Sequence, residues 1–266
     1  MSAVGDLILR CAFEDYPRRL HFPHAVLSCV GYRNWRNAEG QSMQFLYDVI
    51  ASYFCCSMGC GVMVKQLHTG SAFPSYILAK DHLHFHLLAF LATNFAPRDF
   101  VYRLLSKQGP CRSLFLTCDV IDATTAVSGL VRAGHEAHPG NVLLPFLTGI
   151  LCYNGSSLFR WMDARGRGQN PKTFLAEPGS RVTRGVIVAF IAWYFGHIYK
   201  GGVARIRNRT TILLTLAEIV ISSLEDIYNF DAFAGVHSMV VRMVRKLPAT
   251  FNLGPQNVQK QLQEDS

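Results

Sequence analysis

The feature that most limits the fold of this chain is a series of apolar segments, each near the length needed to cross a lipid bilayer. A spanning helix needs about 20 mainly apolar residues. Residues 42–64 carry one charge, residues 113–131 carry two, and residues 137–159 carry none. Shorter or more polar segments lie at residues 22–32, 76–95, 185–199 and 210–224. Together these segments predict about seven membrane spans, the first of which requires the preceding helix to continue into the short apolar piece at residues 22–32.

The composition separates this prediction from a soluble helical bundle. Apolar runs of about 10 to 14 residues also occur in buried helices of soluble proteins, and two of the segments are near that length. However, hydrophobic residues make up 50% of the chain and charged residues 17%, against roughly 25% charged in a soluble domain. Too little polar surface remains to cover a soluble bundle. The sequence predicts an all-α integral membrane protein, with residues 1–232 as the membrane domain and 233–266 as a cytosolic, partly disordered tail.

The positive charge of the chain does not indicate nucleic-acid binding. The net charge is +8, but the 26 Lys and Arg residues form short clusters between apolar runs rather than one stripe. Such clusters are typical of loops that flank membrane spans. One of them precedes the fourth span and is predicted to face lipid headgroups: Arg98, Arg103, Lys107 and Arg112. A second, at Lys200, Arg205, Arg207 and Arg209, would lie on the opposite side of the membrane.

Two glycine-containing stretches interrupt the apolar pattern at corresponding places. Each lies in the second of three consecutive spans, which predicts two three-helix inverted repeats followed by a final helix. A broken helix exposes backbone carbonyls, and unpaired backbone at membrane depth is tolerated only inside protein or against a water-filled cavity. The alternative is that these small residues let helices approach closely. The two predicted helix breaks, and pore sites, are Gly59-Cys60-Gly61 and Gly155-Ser156-Ser157.

Four acidic residues fall inside predicted spans. A carboxylate at membrane depth is costly, and it usually faces a cavity or a charged partner. Asp48, Asp119 and Asp122 are therefore predicted to attract cations to a pathway, and Glu218 is a further candidate. Pairing with a nearby arginine, or capping of a helix, is the alternative for each of them.

These features resemble the trimeric intracellular cation channels, which carry glycine-rich breaks in the second and fifth of seven spans. Residues 95–103 read Phe-Ala-Pro-Arg-Asp-Phe-Val-Tyr-Arg, which is similar to that family's Phe-Pro-x-Asp-Leu-x-Tyr-Lys segment. The stretches Ile77-Leu78-Ala79 and Phe174-Leu175 also agree in position. The resemblance covers roughly residues 6–225. It implies a homotrimer in an internal membrane such as the endoplasmic reticulum, with one pore in each subunit that conducts potassium to balance calcium release.

The chain departs from the family pattern in its fourth span. The family's Lys-Glu-Val motif falls at Ile121-Asp122-Ala123, so the lysine that helps to hold a phosphoinositide headgroup is missing. The glycine runs are also shortened. A non-conducting membrane scaffold or regulatory protein is therefore the second hypothesis. No cofactor is expected, and binding of an anionic lipid is left open.

Catalytic and metal-binding patterns give no third reading of comparable strength. The eight cysteines contain no C-x-x-C pair, which argues against a disulfide framework or a zinc site. His82 and His86, four residues apart, share a helix face, but zinc would need a third ligand and no Cys or Asp lies adjacent beyond Asp81. A lipid-modifying enzyme would need a His and acid pair, for which His135, Glu136 and His138 are the local candidates. The sequence predicts no enzyme and no metal site.

Overall fold

The computed structural model describes residues 3–13, 18–54, 64, 80–168, 180–199 and 203–245. Every regular element in these ranges is helical, which confirms the all-α prediction. The helices are numbered here in chain order: α1 (Ala3–Phe13), α2 (Arg18–Ala38), α3 (Phe45–Ser52), α4 (Lys80–Phe95), α5 (Phe100–Ser106), α6 (Pro110–Ala137), α7 (Leu143–Gly166), α8 (Ser180–Trp193), α9 (Ala204–Tyr228) and α10 (Ala234–Arg245).

Four helices are long enough to cross a bilayer, but most of them are less apolar than a typical membrane span. Helices α2, α6, α7 and α9 have 21, 28, 24 and 25 residues, and about 20 residues span the 30 Å hydrocarbon layer. Within the described ranges, α6 is the one helix that is both long and apolar enough to cross a bilayer, with a mean hydropathy of 1.5 in its best window. Leu83–Phe95 and Val182–Ile198 are shorter apolar helices. The number of seven spans stays a prediction.

Helices α6 and α7 form a hairpin whose boundaries follow from local chemistry. Pro110 begins α6 directly after Gly109. A backbone N–H at the first position of a helix has no partner within the helix, so proline loses no hydrogen bond there. The Oδ1 atom of Asn141 accepts hydrogen bonds from the backbone N–H groups of Leu143 and Leu144, at 3.1 and 3.0 Å. This side chain satisfies donors at the start of α7. The prediction that a span begins at residue 137 is therefore wrong, because Ala137 ends α6 and the turn precedes Leu143.

The hydrophobic core is divided between the two halves of the chain. In the first half, Val26 and Val30 of α2 pack with Phe90 of α4 and Leu105 of α5. In the second half, α6, α7, α8 and α9 contribute most of a second cluster, which includes Val131 and also contains Val64 from the first half of the chain. Helix α2 also packs against α6, which joins the halves. This division agrees with two three-helix units, although their inverted relation stays a prediction.

Small residues bring the second-half helices unusually close together. A Cβ atom added to Gly149 of α7 would lie 2.8 Å from Val131 Cγ2 and 2.9 Å from Ala189 Cβ. A Cβ at Gly185 of α8 would lie 2.7 Å from the ring of Tyr153. Both positions therefore require glycine. Close approach through small residues is the usual packing device of helices in membranes.

The end of α8 and the start of α9 differ from the predicted loops. Helix α8 begins at Ser180, five residues before the predicted start of the span at position 185. At its other end it continues into a π-helix at Tyr194–Ile198. Helix α9 begins at Ala204. The basic residues Arg205, Arg207 and Arg209 therefore lie on the first turns of a helix and not in a loop, which corrects the sequence prediction; Lys200 lies outside the described residues.

Candidate ion pathway

Buried polar side chains lie halfway along three of the long helices. Asp122 of α6, Asn154 of α7 and Thr215 of α9 are each at most 6% exposed. Each lies within two residues of the midpoint of its helix, far from both helix ends. One oxygen of each side chain, Oδ1 of Asp122 and Asn154 and Oγ1 of Thr215, is buried without a hydrogen-bond partner among the described residues. Buried oxygens are almost always satisfied by protein, water or an ion.

The two acids of α6 meet a histidine of α2. The Nδ1 atom of His24 lies 2.5 Å from Asp119 Oδ1 and 3.5 Å from Asp122 Oδ2. Because the two carboxylates are three residues apart on one helix face, a single imidazole bridges both. The sequence placed Asp119 and Asp122 in the same span but gave no indication of His24. Their role in attracting cations stays a prediction.

A polar stripe on α9 was missed by the sequence reasoning. Its members recur at intervals of four and three residues, which places them on one face of the helix. The first four are buried and the last is partly buried: Thr211, Thr215, Glu218, Ser222 and Glu225. The spacing itself was visible in the sequence, but only the acid Glu218 was singled out there.

Arg184 of α8 connects to this stripe. Its Nε atom donates to Glu218 at 2.8 Å, and its Nη1 atom donates to Glu225 at 2.6 Å. The Nη2 atom donates to the Ser222 hydroxyl at 2.5 Å. The guanidinium also lies over the ring of Phe233, 5.4 Å from its centroid. Glu218 is therefore paired with a cation, as the alternative interpretation anticipated.

Asp48 is fully buried in a network of charges where α2, α3 and α7 meet. Its carboxylate accepts hydrogen bonds from Arg36 at 2.6 Å, from Arg167 at 2.9 Å and from the Tyr32 hydroxyl at 3.3 Å. Arg167 also bonds Asp163, at 3.2 Å. The two arginines and two aspartates balance in charge. Asp48 thus has two cationic partners of its own, and a role in attracting mobile cations stays a prediction without support from this geometry.

The predicted helix breaks have different outcomes. Helix α7 runs without interruption through Gly155, Ser156 and Ser157, so the break predicted there is wrong. Gly155 is buried, and the neighbouring Asn154 returns a hydrogen bond from Nδ2 to the carbonyl of Ile150, at 3.1 Å. A role of these three residues beside the pathway stays a prediction. The break at Gly59, Cys60 and Gly61 lies outside the described residues.

The basic residues before α6 divide into exposed and paired groups. Arg98, Arg103 and Lys107 are exposed, as lipid-facing residues require. Arg112 is partly buried, and it donates to Asp226 of α9 at 2.7 Å and to the carbonyl of Leu105 at 2.7 Å. Arg112 therefore links α5, α6 and α9, and its guanidinium is already engaged by protein oxygens.

Asp99 and Arg33 fix the segment that resembles the channel motif. Arg98 and Asp99 both have positive φ angles, 56° and 57°, which side chains rarely adopt. Two hydrogen bonds from Arg33 to the Asp99 carboxylate, at 3.2 and 3.0 Å, hold this turn against α2. These bonds lower the pKa of Asp99. The Arg33 guanidinium also lies 4.0 Å from the ring centroid of Tyr102, whose hydroxyl donates to Asn34 at 2.6 Å.

Two of the residues considered for a metal or enzyme site, His86 and Glu136, have other partners. His86 is buried and lies 3.0 Å from the Ser52 hydroxyl, whereas His84 is exposed and the side chain of His82 is not described. Glu136 pairs with Arg132 on its own helix, at 2.6 Å. No group of three or more potential metal ligands occurs in the part of the chain that the structure describes.

These helices and their packing define a class of protein by fold: an all-helical bundle with two halves and polar groups at mid-helix. Two solved structures of a trimeric intracellular cation channel from C. elegans share this fold. The structure without Ca²⁺ aligns with a TM-score of 0.66 at 14% identity, over 84% of this chain and 94% of that one. The structure with bound Ca²⁺ gives 0.62 at 14% identity, over 85% and 96%. The chain therefore has the trimeric intracellular cation channel fold, in a divergent sequence.

Sequence comparisons add no further relative. No protein-family model matches the chain. No curated protein sequence matches it either.

Proposed function

We propose that this chain is an integral membrane protein that conducts monovalent cations, potassium above all, across an intracellular membrane. As a homotrimer in the endoplasmic reticulum or a related membrane, it would move counter-ions during calcium release. The similar structures are of a trimeric intracellular cation channel, and their fold extends over most of this chain.

The observation that carries this proposal is the set of unpartnered oxygens at mid-helix. Asp122, Asn154 and Thr215 each bury an acceptor oxygen without a donor from the described chain. In a structural core such atoms would cost free energy, roughly 1 to 3 kcal/mol each. Along a pathway, the same oxygens would replace part of the hydration shell of a passing cation.

A specific observation also favours a second function, that of a non-conducting membrane scaffold. Three of the four span acids have a basic partner at 2.7 Å or less: Asp48 with Arg36, Asp119 with His24, and Glu218 with Arg184. The fourth, Asp122, lies 3.5 Å from His24. Paired acids attract mobile cations less strongly than free ones. A scaffold would use them to hold helices together, and it would need no open pathway.

Planar-bilayer recording of the purified protein under asymmetric potassium chloride separates the two functions. The channel proposal expects a reversal potential near that of potassium. Asp122→Leu replaces both carboxylate oxygens with an apolar side chain, so conductance is expected to fall severalfold or disappear. His24 keeps Asp119 as a partner at 2.5 Å, so no buried charge is left unpaired and the variant is expected to remain folded.

Glu136→Gln provides the matched control for this experiment. It removes the same charge from the same helix, but at an exposed end where the carboxylate faces solvent. This control is expected to conduct like the original protein. Silence from folded, assembled protein over a range of voltages, Ca²⁺ and phosphoinositide would overturn conduction and favour the scaffold.

A further inference from the structure

Helix α10 presents three distinct faces. At 3.6 residues per turn, each face covers roughly 100° or less of the helix circumference. His237 and Val241 lie on a partly buried face directed at α8. A second face is polar and holds Ser238 and Arg242. The third face is apolar and exposed, and it consists of Val236, Met239, Val240 and Met243, which are between 38% and 59% exposed.

The orientation of α10 is fixed by its packing face. The Nδ1 atom of His237 lies 3.0 Å from the Thr183 hydroxyl in the first turn of α8. The loop before α10 is held by Glu225, whose carboxylate accepts a hydrogen bond from the backbone N–H of Ala232 at 3.0 Å. Since α10 is anchored beside the start of α8 and the end of α9, it lies near the ends of two long helices. Its apolar face cannot turn inward without breaking these contacts.

We infer that α10 is an interfacial helix that lies on an anionic lipid surface through its exposed apolar face. Methionine and valine would enter the boundary between headgroups and acyl chains, and Arg242 would remain at headgroup level. The helix sequence contains two arginines and no acid, which complements a negatively charged leaflet. Two further large apolar side chains, Ile227 and Tyr228 at the end of α9, are 59% and 70% exposed.

This inference rests on the proposed membrane placement but not on conduction. A protein partner or a second copy of the chain are the competing occupants of the apolar face. The absence of acids on α10 favours lipid over an ordinary protein interface, because an anionic surface attracts both arginines at once. The face also lies between a packed side and a charged side, which is the pattern of helices that lie in the plane of a membrane.

Fluorescence quenching in reconstituted full-length protein tests the inference. A fluorescent amino acid is placed at Val240 on the apolar face, at Ser238 on the polar face, or at Leu213 on α9 as a membrane reference that is 66% exposed. The protein is incorporated into nanodiscs that contain phosphatidylglycerol. We expect brominated acyl chains to quench position 240 and aqueous iodide to quench position 238. Arg242→Gln is expected to weaken the lipid-docked state about fivefold.

The reference position separates the failure of this inference from the failure of the proposed membrane placement. Lipid quenching at 213 without lipid quenching at 240 would overturn the inference and leave the membrane placement intact. If iodide reaches 240 as readily as 238, the face is exposed to water. If neither quencher reaches 240, protein covers the face. Either result contradicts a lipid-docked helix.

Discussion

Asp48 shows how a single buried carboxylate can determine the arrangement of three helices. Two guanidinium groups and one hydroxyl converge on it, and Gln44 adds a backbone N–H at 3.0 Å. Burying an ion is costly unless partners satisfy it, and removal of one partner then leaves uncompensated charge. The network therefore acts on stability first, and any effect on ions would be indirect.

Replacing Asp48 with asparagine is expected to destabilise the protein by about 3 to 5 kcal/mol, because Arg36 and Arg167 would lose their shared anion in a buried site. Thermal unfolding of the detergent-solubilised protein measures the change. Glu136→Gln is the control, since it breaks an exposed pair within one helix and is expected to cost about 0.5 kcal/mol or less. Equal effects of the two substitutions would contradict a structural role for the Asp48 network.

The pair of Arg33 and Asp99 predicts a dependence of stability on pH. Because Arg33 lowers the pKa of Asp99 in the folded state, the pair stabilises the fold above the ordinary carboxyl pKa of about 4. This contribution is lost as the pH falls through the lowered value. Asp99→Asn removes the titrating group, so its deficit in stability relative to the original protein is expected at roughly pH 6 to 7 and should shrink as the pH falls below about 4.

At the scale of helices, the sequence predicted which segments are helical better than it predicted where each helix begins and ends. Apolar runs identified the helical segments around residues 113–131 and 210–224, because spans require them. The ends were wrong where polar residues continue a helix, as on α9, which starts at Ala204 with arginines on its first turns. Composition within a run cannot show that Arg184 has partners on the next helix. The structure adds those partners.

The candidate pathway was predictable in part for the same reason. Acids inside apolar runs were conspicuous, so Asp119 and Asp122 were identified from the sequence. His24, Asn154 and Thr215 were not, because neutral or weakly polar side chains are common in helices of every kind. The prediction of a helix break at Gly155 was wrong for a physical reason. One glycine weakens a helix by only about 1 kcal/mol, which the surrounding packing overrides.

Gly149 is expected to be far more sensitive to substitution than an exposed helical glycine. Gly149→Val would place Cβ within 3 Å of both α6 and α8, and overpacking typically costs about 1 to 3 kcal/mol. Gly235→Val is the matched substitution in α10, where an added Cβ meets no atom within 4 Å. Thermal unfolding compares the two variants. A stable Gly149→Val protein would show that α7 can shift away from its neighbours.

At the scale of the whole molecule, the assembly follows from the fold only as a proposal. If three copies associate, the protein mass measured by multi-angle light scattering, after subtraction of detergent, is expected to be three times 29.7 kDa. The exposed apolar residues could contact either lipid or other subunits. The measured protein mass shows whether other subunits are bound. A mass of 29.7 kDa over a wide range of concentrations would contradict the homotrimer.

The position of the pathway within an assembly can be tested by mixing subunits. The unpartnered oxygens of Asp122, Asn154 and Thr215 are buried inside a single chain and not on its outer surface. A pathway along them would therefore lie within each subunit. Coexpression of the original protein with Asp122→Leu is expected to give trimers with zero, one, two or three conducting subunits, so current should fall in proportion to the mutant fraction. If one mutant subunit silenced a whole trimer, a shared central pore would explain the result, and the polar groups described here would not line it.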